Sequence, residues 1–305
     1  MNNLSQVRVL VTGGTGFIGS RLVPRLQRAG AEVSVSTRDA ARARKLLGPD
    51  VSVSESLVDL ARLQPRCVIN LAGAGIADRP WTSGRRETLL ASRVAFTEAL
   101  HQALASAPPE VVVNASAVGY YGSSEDRTFT EEDGPGEGFA AQLCQRWEAA
   151  AMAFESTGSR LVRLRLGLVL GPGGLLGRMK LPFSLGLGGR IGHGRQWMSW
   201  VHMEDVLGLL ERSLTDPGLS GPVNATAPAP VTNADFTAAL GRVLRRPTPF
   251  PIPALVLRTL LGDMADELLL SGARVLPARA HEADYLFRFE TIEEALADAL
   301  ASEAD

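Results

Sequence analysis

The sequence predicts a doubly wound α/β fold, a parallel sheet covered by helices on both faces, followed by a smaller and less regular C-terminal region. Two observations predict it. Up to residue 166, short β-branched runs alternate with segments that have helical spacing. Three of the strand-like runs, at residues 67–71, 111–115 and 161–166, are largely apolar, as expected of parallel strands covered on both faces.

The chain begins with a predicted strand, a glycine-rich turn and a helix. Residues 7–12 (VRVLVT) form a β-branched run that ends at glycines. An apolar stripe with helical spacing follows, at Phe17, Ile18, Leu22, Val23 and Leu26. Gly30 is placed to end this helix as a C-cap, and residues 33–36 form the next strand. Together these elements predict a βαβ unit.

The same alternation continues along the chain. We expect helices over residues 42–47, 57–63, 87–106 and 142–156, and strands over residues 51–53, 67–71, 111–115 and 161–166. After Gly171 the sequence becomes rich in glycine and proline and loses this rhythm. We therefore predict a sheet domain at residues 1–171 and a smaller substrate region at residues 172–305, allowing for later segments that rejoin the sheet. This region is expected over the carboxyl edge of the sheet, where ligands of such folds bind.

Composition limits the partners that this chain is expected to have. Its 31 basic and 33 acidic residues give a formal charge of −2, which argues against binding to nucleic acid or a membrane surface. We expect a small-molecule substrate and a monomer or homodimer. The first ten residues contain no apolar signal-peptide core, which favours a soluble, cytoplasmic protein.

Neither the cysteines nor the histidines predict a metal site. Cys67 and Cys144 each lie in an apolar segment and form no CxxC pair, so we expect buried free thiols. The four histidines show no metal-binding spacing.

The turn after the first strand has the glycine spacing of a dinucleotide site. Residues 12–19 read TGGTGFIG, with Gly13, Gly16 and Gly19 at the junction of strand and helix. In a Rossmann domain the first glycine permits the turn, the second admits the pyrophosphate, and the third allows helix and strand to pack closely. We expect the dinucleotide to contact Gly13, Thr15, Gly16, Phe17, Ile18 and Gly19. The alternative is a tight turn that binds nothing.

The end of the second predicted strand distinguishes between the two nicotinamide cofactors. NAD sites place a carboxylate there for the ribose 2′-hydroxyl, whereas NADP sites place a cation for the 2′-phosphate. This chain has Ser36, Thr37 and Arg38 at that point. We therefore expect Thr37 and Arg38 to bind NADP. NAD is the less favoured alternative, because Asp39 is adjacent and arginine is abundant throughout the chain.

Several motifs resemble the extended, epimerase/dehydratase branch of the short-chain dehydrogenase/reductase superfamily. They are the glycine turn, NLAG at residues 70–73, Ser116 in NASAVGYYG, and RLGLVLGP at residues 165–172. More narrowly, NLAGAGIADRPWT, SAVGYYG, CQRWEAAA and the C-terminal ARVLPARAHEADYLFRFETIEEAL resemble the "epimerase family proteins", atypical members with a short C-terminal domain of unknown function. The resemblance implies cofactor contacts at Leu71, Ala72, Gly73, Arg93 and Leu168. For Arg93 the alternative is a position on a helix surface.

The resemblance also implies a Tyr-xxx-Lys pair, in which the lysine lowers the pKa of the tyrosine while a serine or threonine helps to hold the reacting oxygen. This chain has no such pair, because its only lysines are Lys45 and Lys180 and neither lies four residues after a tyrosine. Alignment on Glu148 places Ala140 and Cys144 at the two positions. The remaining catalytic candidates are Ser116, Tyr120 and Tyr121, with His193 as a further proton donor.

Other polar and aromatic residues have two interpretations each. One interpretation of Trp81, Trp197 and Trp200 is an aromatic surface that contacts a substrate, and the other is packing in the core. We expect Trp197 and Trp200 to lie on one face of a strand. Arg163 and Arg165 share a strand face, and Arg165 either reaches the ligand or pairs with a buried acid such as Glu204 or Asp205. His202 is expected to have a structural role.

The functional prediction is an NADP(H)-binding oxidoreductase or epimerase-like protein of unknown substrate that lacks the usual acid/base pair. The alternative is a protein that binds NADP(H) as a sensor or regulator without turnover. A structural protein without a cofactor is the third hypothesis.

Overall fold

The computed structural model describes residues 4–301 and contains a seven-stranded sheet in which every pair of neighbouring strands is parallel. Its strands are β1 (Arg8–Thr12), β2 (Glu32–Ser36), β3 (Ser52–Ser54), β4 (Cys67–Asn70), β5 (Val111–Ala117), β7 (Arg160–Leu166) and β11 (Gly221–Ala225). The order across the sheet is β11-β7-β5-β4-β1-β2-β3. The order reverses between β1 and β4, and doubly wound sheets bind ligands at the carboxyl ends beside such a reversal. The predicted fold class is confirmed.

Helices cover both faces of the sheet and build the C-terminal region. They are α1 (Gly19–Arg28), α2 (Ala40–Leu47), α3 (Leu57–Ala61), α4 (Ser83–Leu90), α5 (Phe96–Leu104), α6 (Phe139–Ser156), α7 (Gly174–Ser184), α8 (Met203–Thr215), α9 (Asn233–Leu244), α10 (Ala254–Leu261), α11 (Asp263–Leu268), α12 (Ala278–Glu282) and α13 (Ile292–Ala301). The single helix predicted over residues 87–106 is instead α4 and α5 joined by a π-helical turn at Ala91–Ala95. Periodicity alone does not reveal such an insertion, which is frequent at functional sites.

The core has one layer on each face of the sheet. Successive residues of β1 point to opposite faces, so Val9 and Val11 pack with α1 and α8, while Leu10 packs with α3, α5 and α6. All three side chains are at most 1% exposed. Full burial of a side chain of this size contributes about 1.5–3 kcal/mol, which explains why the central strands are apolar on both faces.

Three elements from beyond Gly171, helix α8, strand β11 and helix α12, join the main sheet domain. Strand β10 and helices α7, α9 and α13 form a second core around Trp200, Phe236 and Leu296. Three short ladders join distant segments: β8 (Leu168–Leu170) with β10 (Trp200–His202), β9 (Trp197–Met198) with β12 (Val231–Thr232), and β6 (Thr128–Phe129) with β13 (Arg274–Val275). The last of these ties the C-terminal part of the chain to the segment after β5.

Among residues 4–301, no helix has the length and apolar character needed to cross a membrane. The same residues include no group of three or more His, Cys, Asp or Glu side chains arranged to hold a metal ion. Cys67 and Cys144 are both buried free thiols.

Candidate functional site

Each of the three spaced glycines in the turn between β1 and α1 is required for a different reason. Gly13 has a φ of 66°, and an added Cβ would lie 2.7 Å from the carbonyl oxygen of Leu71. A Cβ on Gly19 would lie 2.7 Å from the Cα of Gly14. Gly16 is exposed, and an added Cβ there would meet only the Gly13 carbonyl oxygen, at 3.1 Å, among the described residues. The protein's own packing requires Gly13 and Gly19, whereas close approach of a ligand accounts for Gly16.

The first turn of α1 is open to an anion. Its N-cap residue, Ile18, makes no side-chain capping bond, and the turn contains no acidic residue. Thr15 and Phe17 lie partly exposed on either side of Gly16. The free amides and the positive end of the helix dipole therefore face the same space as Gly16.

The chain segment after β8 passes close to this turn. The Phe17 ring lies 2.8 Å from where a Cβ on Gly174 would be. Arg21 donates hydrogen bonds to the carbonyl oxygens of Phe17, at 2.8 Å, and Pro172, at 2.6 Å. Residues 172–174 are thereby held against the glycine turn.

A buried hydrogen-bond network fixes the carboxyl ends of β1, β4 and β5. Thr12 donates to Asn70 at 2.6 Å, and the Asn70 amide donates to Asn114 at 2.6 Å and to Thr97 at 2.9 Å. The Trp147 indole donates to Thr97 at 3.1 Å. The sequence motifs do not single out Thr12, Thr97 or Asn114. Two of them, Thr12 and Asn114, are polar residues at or near the end of an apolar strand. That position is the sequence feature from which a role at the site could have been predicted.

At the end of β2 the cation, Arg38, is unpaired, whereas the neighbouring acid, Asp39, accepts a hydrogen bond. Asp39 is the N-cap of α2 and accepts a hydrogen bond from the Arg42 amide at 2.9 Å. The Thr37 hydroxyl accepts one from the Asp39 amide at 3.2 Å. Arg38 is exposed, and its guanidinium has no hydrogen bond or ion pair with the residues that the structure describes. The end of β2 therefore has an unpaired positive charge, while both nearby carboxylates are engaged: Asp39 caps α2, and Glu55 accepts a hydrogen bond from the Ala40 amide at 3.1 Å.

The loop after β4 places backbone atoms beside the glycine turn. The Ala72 amide donates to the Thr12 hydroxyl at 3.3 Å, and Leu71 contacts Gly13. Gly73 is exposed. Leu168 is half-buried in β8, where it pairs with Trp200 and packs on the second core.

Arg93 is brought to this loop by the π-helical turn. Its guanidinium carbon lies 2.9 Å from where a Cβ on Gly73 would be and 5.1 Å from the centre of the Trp147 ring. It forms no ion pair with a carboxylate among residues 4–301. Burial lowers the pKa of the Arg93 guanidinium, and the like charge of Arg85 adds to this effect. The Arg93 guanidinium is therefore held between the Gly73 backbone and the Trp147 ring.

Cys144 and Ala140, the residues at the positions of the missing pair, both lie on α6, and the charge of Arg93 acts on the Cys144 thiol. Burial raises the pKa of the Cys144 thiol to about 11, although nearby Arg93 and a hydrogen bond with Ser116 act in the opposite direction. The thiol is therefore neutral at pH 7. The positive charge that lysine would supply from α6 is absent, and Arg93 supplies one from the neighbouring turn.

Ser116 is buried and committed to an ion pair. It is 2% exposed and donates to Glu148 at 2.7 Å. Arg165 donates to the two carboxylate oxygens of Glu148 at 2.8 and 2.9 Å, and Arg163 approaches the same carboxylate at 3.4 Å. Burial alone would lower the pKa of Arg165, but its hydrogen bonds to Glu148 raise it. The buried acid expected for Arg165 is thus Glu148.

Glu204 and Asp205, the acids expected to pair with Arg165, have other partners. Glu204 pairs with Arg25 at 2.8 Å, and Asp205 accepts hydrogen bonds from the amides of Arg288 and Phe289. Glu148 lies on α6 opposite β7, a contact that spacing along the sequence does not reveal.

The two adjacent tyrosines have different environments. Tyr121 is 2% exposed, donates to Asn224 at 2.7 Å and accepts from Arg165 at 2.8 Å. Burial raises its pKa to about 12, which makes it a poor proton donor or base at neutral pH. Tyr120 is partly exposed, and its ring centre lies 3.5 Å from the Arg165 guanidinium carbon. The Tyr120 hydroxyl has no hydrogen-bond partner within residues 4–301.

The remaining candidates do not converge on the cleft. His193 is exposed, with Nε2 3.6 Å from Glu125. Its Nδ1 accepts a hydrogen bond from the Arg195 amide. His202 caps α8 and lies 3.3 Å from Asp298. The expected structural role of His202 fits this geometry.

The three tryptophans do not form one wall. Trp81 packs edge-on against Phe139, with ring centres 4.9 Å apart, whereas Trp200 is fully buried in the second core. Trp197 lies under Arg274, in a different ladder from Trp200. The expectation that Trp197 and Trp200 share a strand face is wrong, because they are three residues apart and the chain changes strand between them.

Comparison with known proteins identifies the family. The model of the NAD dependent epimerase/dehydratase family matches residues 9–223, and a domain of unknown function, DUF1731, matches residues 252–299. The chain belongs to the NAD dependent epimerase/dehydratase family. It is 43% identical to the epimerase family protein Mb2239 of Mycobacterium bovis over 293 residues, which is 94% of this chain and 96% of that protein. It is 38% identical to the epimerase family protein SDR39U1 of Bos taurus, over 97% of this chain and all of that protein.

Two solved structures have the same fold as this chain. The human epimerase family protein SDR39U1 (isoform 2) with NADPH is 34% identical and has a TM-score of 0.87, over 97% of this chain and 99% of that one. MoeE5, in complex with UDP-glucuronic acid and NAD, is 25% identical with a TM-score of 0.75, over 96% and 98% of the two chains. The predicted resemblance, including the C-terminal domain of unknown function, is confirmed.

Proposed function

We propose that this member of the epimerase/dehydratase family is an NADP(H)-dependent oxidoreductase or epimerase-like enzyme that acts on a small molecule. The observation that carries the cofactor choice is the pair at the end of β2: Arg38 is unpaired and exposed, while Asp39 is occupied as a helix cap. A 2′-phosphate gains a charge-assisted contact at such an end, whereas a 2′-hydroxyl finds no free carboxylate. The NADPH in the structure of the human relative supports the same choice.

The glycine turn fits the diphosphate of such a cofactor. Gly16 leaves the space that a Cβ would fill, and the open first turn of α1 supplies amides and the dipole. When bound, the nicotinamide supplies or accepts the hydride, which no side chain can do. The chain's own residues must then bind, orient and provide a proton.

Arg93 is proposed to take the electrostatic role of the missing lysine. Its charge lies beside Cys144, at the position where the lysine would stand, and no carboxylate among the described residues neutralises it. The Trp147 ring and the Gly73 backbone hold the guanidinium in place. A fixed cation at this point would bind hydroxyl groups of the cofactor or stabilise negative charge on a substrate oxygen.

Tyr120 is the proposed proton donor. Of Ser116, Tyr120 and Tyr121, only Tyr120 is partly exposed and has a hydroxyl without a partner among residues 4–301. Arg165, 3.5 Å below its ring centre, restricts the ring's position through a cation–π contact. Ser116 and Tyr121 are proposed to support the site by holding Arg165 and Glu148.

The decisive experiment compares the affinities of NADPH and NADH for the purified protein and for Arg38→Ala. We expect tighter binding of NADPH, a preference that falls as salt rises, and a loss of about 1–3 kcal/mol of that preference in Arg38→Ala. Arg44→Ala, which removes another exposed arginine nearby, is the matched control and should leave the preference unchanged. Equal affinity of the unmodified protein for both cofactors would overturn the assignment to NADP.

The second candidate is an NADP(H)-binding sensor without turnover. The observation that favours it is that Ala140 and the neutral thiol of Cys144 occupy the positions of the usual acid/base pair. A broad panel of carbonyl compounds and nucleotide sugars distinguishes the two functions. Tight NADPH binding with no nicotinamide oxidation by any of them would favour the sensor.

The cytoplasmic location of the protein stays a prediction.

A further inference from the structure

Helices α7 and α10 and the segments beside them form a surface that has the properties of a membrane-docking face. Six large apolar side chains are between 58% and 74% exposed: Leu181, Leu185, Leu187, Phe250, Leu255 and Leu260. We call this set the leucine face. Single exposed apolar residues are ordinary, but contiguous groups of them mark interaction surfaces.

Hydrogen bonds show that these residues belong to adjoining segments, one of them from the Arg246 side chain and the others between backbone groups. Arg246 donates to the Ser184 carbonyl oxygen at 2.8 Å, which ties residue 246 to the end of α7. The Ile252 amide donates to the Arg190 carbonyl oxygen at 2.8 Å, and Gly192 donates to Ile252 at 2.9 Å. Residues 187–192 therefore run beside residues 246–252, and α10 follows directly.

Helix α10 is the least covered element of this surface. None of its eight residues is buried, although its sequence is ALVLRTLL. An apolar helix gains stability in a protein chiefly by burying a face, and α10 only half-buries Ala254, Leu257 and Leu261. Its exposed apolar side chains, Leu255, Val256 and Leu260, are therefore available to a partner.

The two segments that carry the leucine face contain basic residues and no acidic ones. Residues 174–195 and residues 242–262 contain no Asp or Glu, but each segment has four basic residues. Acids from other segments pair with four of these eight: Arg178 with Asp78, Arg195 with Glu125, Arg242 with Glu293 and Arg258 with Asp266. Arg190, Arg245 and Arg246 are exposed and have no carboxylate partner among residues 4–301. The formal charge of −2 for the whole chain, which predicts no membrane partner, averages over this asymmetry.

A cavity beside the leucine face could accept one anionic headgroup. It has a volume of about 340 Å³ and is lined by Arg190, Thr237, Thr248 and neighbouring prolines and alanines. Thr237 is 3% exposed, and its buried hydroxyl has no hydrogen-bond partner among the described residues. A phosphate oxygen would satisfy that hydroxyl and pair with Arg190.

We propose that the leucine face docks this protein on an anionic phospholipid surface, with a lipid phosphate at Arg190 and Thr237. Exposed apolar side chains enter the boundary between headgroups and acyl chains, and unpaired arginines beside them bind anionic lipid. A neutral protein partner would gain nothing from the unpaired arginines. This inference is independent of the proposed function.

The test is cosedimentation of the full chain with phosphatidylcholine vesicles that contain or lack phosphatidylglycerol. We expect binding to the anionic vesicles, weakening with added NaCl, and little binding to the neutral ones. Arg190→Gln should weaken binding about fivefold, which corresponds to about 1 kcal/mol for one arginine at the surface. The double variant Leu255→Glu and Leu260→Glu should weaken it more than tenfold.

Matched controls separate docking from general changes in charge and hydropathy. Arg44→Gln and Leu286→Glu alter an exposed arginine and an exposed leucine, the latter 89% exposed, outside this surface, and should bind like the unmodified protein. Equal binding to both vesicle types, or no loss in either test variant, would overturn the proposal. A concentration-dependent dimer abolished by the Leu255/Leu260 variant, without vesicle binding, would show that a second copy is the occupant. Binding of inorganic phosphate without vesicle binding would show a soluble-anion site instead.

Discussion

Ser116 donates a 2.7 Å hydrogen bond to the carboxylate of Glu148, which also accepts two hydrogen bonds from Arg165. All three side chains are buried. Strand β5, strand β7 and helix α6 are thus joined by one ion pair directly beneath the proposed site. A buried ion pair of this kind tolerates poorly the loss of one partner.

Glu148→Gln should therefore destabilise the protein, because it leaves the Arg165 charge buried without a counterion. We expect the free energy of unfolding to fall by about 3–5 kcal/mol in urea titrations. Glu155→Gln, an exposed change in the same helix, is the control and should have little effect. Equal stability of the two variants would show that the ion pair contributes nothing to the fold.

Gly16→Val should abolish dinucleotide binding while the protein stays folded. The added side chain meets little of the protein but fills the space that the pyrophosphate requires. Gly19→Val should instead unfold the turn, since its Cβ would press on Gly14. Circular dichroism and NADPH titration measure the two effects, with Gly84→Val as a control in open space. Unchanged NADPH affinity in a folded Gly16→Val protein would reduce the motif to a turn.

Arg93→Met should weaken NADPH binding or turnover, because it removes the cation beside Cys144. Arg93→Lys keeps the charge and should recover part of the loss, but not all, since lysine cannot stack on Trp147 as the planar guanidinium does. Binding of NADPH, followed by its fluorescence, gives a measurement that needs no substrate. If Arg93→Met matches the unmodified protein in cofactor affinity, in cofactor fluorescence and, once a substrate is known, in kcat, Arg93 has no role at the site.

Tyr120→Phe should affect catalysis, whereas Tyr121→Phe should affect the stability of the fold. Once a substrate is found, Tyr120→Phe should lower kcat by about 10²–10⁴ at nearly unchanged NADPH affinity, because proton transfer is lost. Tyr121→Phe should cost about 1–3 kcal/mol of stability, because it removes hydrogen bonds to Asn224 and Arg165. Ser116→Ala and His193→Gln complete the series. Full activity in all four variants would place the proton donor elsewhere.

The buried thiols predict a loss of stability in alkaline solution. Burial raises the pKa of both Cys67 and Cys144 from 9.0 to about 11, so the folded protein holds protons that the unfolded chain releases. Stability from these groups is fully present below pH 9 and falls as the pH rises to about 11, by at most about 3 kcal/mol for each thiol. Urea midpoints measured from pH 8 to 11 should fall less steeply in the Cys67→Ala, Cys144→Ala double variant. Parallel slopes would show that the thiols are not responsible.

The sequence by itself determined the architecture, the cofactor turn and the absence of the usual acid/base pair. These features are local: apolar runs define strands, helical spacing defines helices, and GxxGxxG at a strand–helix junction permits only a narrow range of backbone conformations. The absence of a residue, such as a lysine four positions after a tyrosine, is visible in the sequence itself.

Only the tertiary structure decided which polar groups meet. Glu148 lies 17 residues from Arg165 along the chain, and Arg93 reaches Gly73 and Cys144 through a π-helical turn that periodicity does not reveal. The difference between Tyr120 and Tyr121 depends on burial and on which hydroxyl finds a partner, although the two are adjacent in sequence. The physical reason is that hydrogen bonds and ion pairs act between side chains a few ångströms apart, and in this fold most of those partners come from different strands and helices.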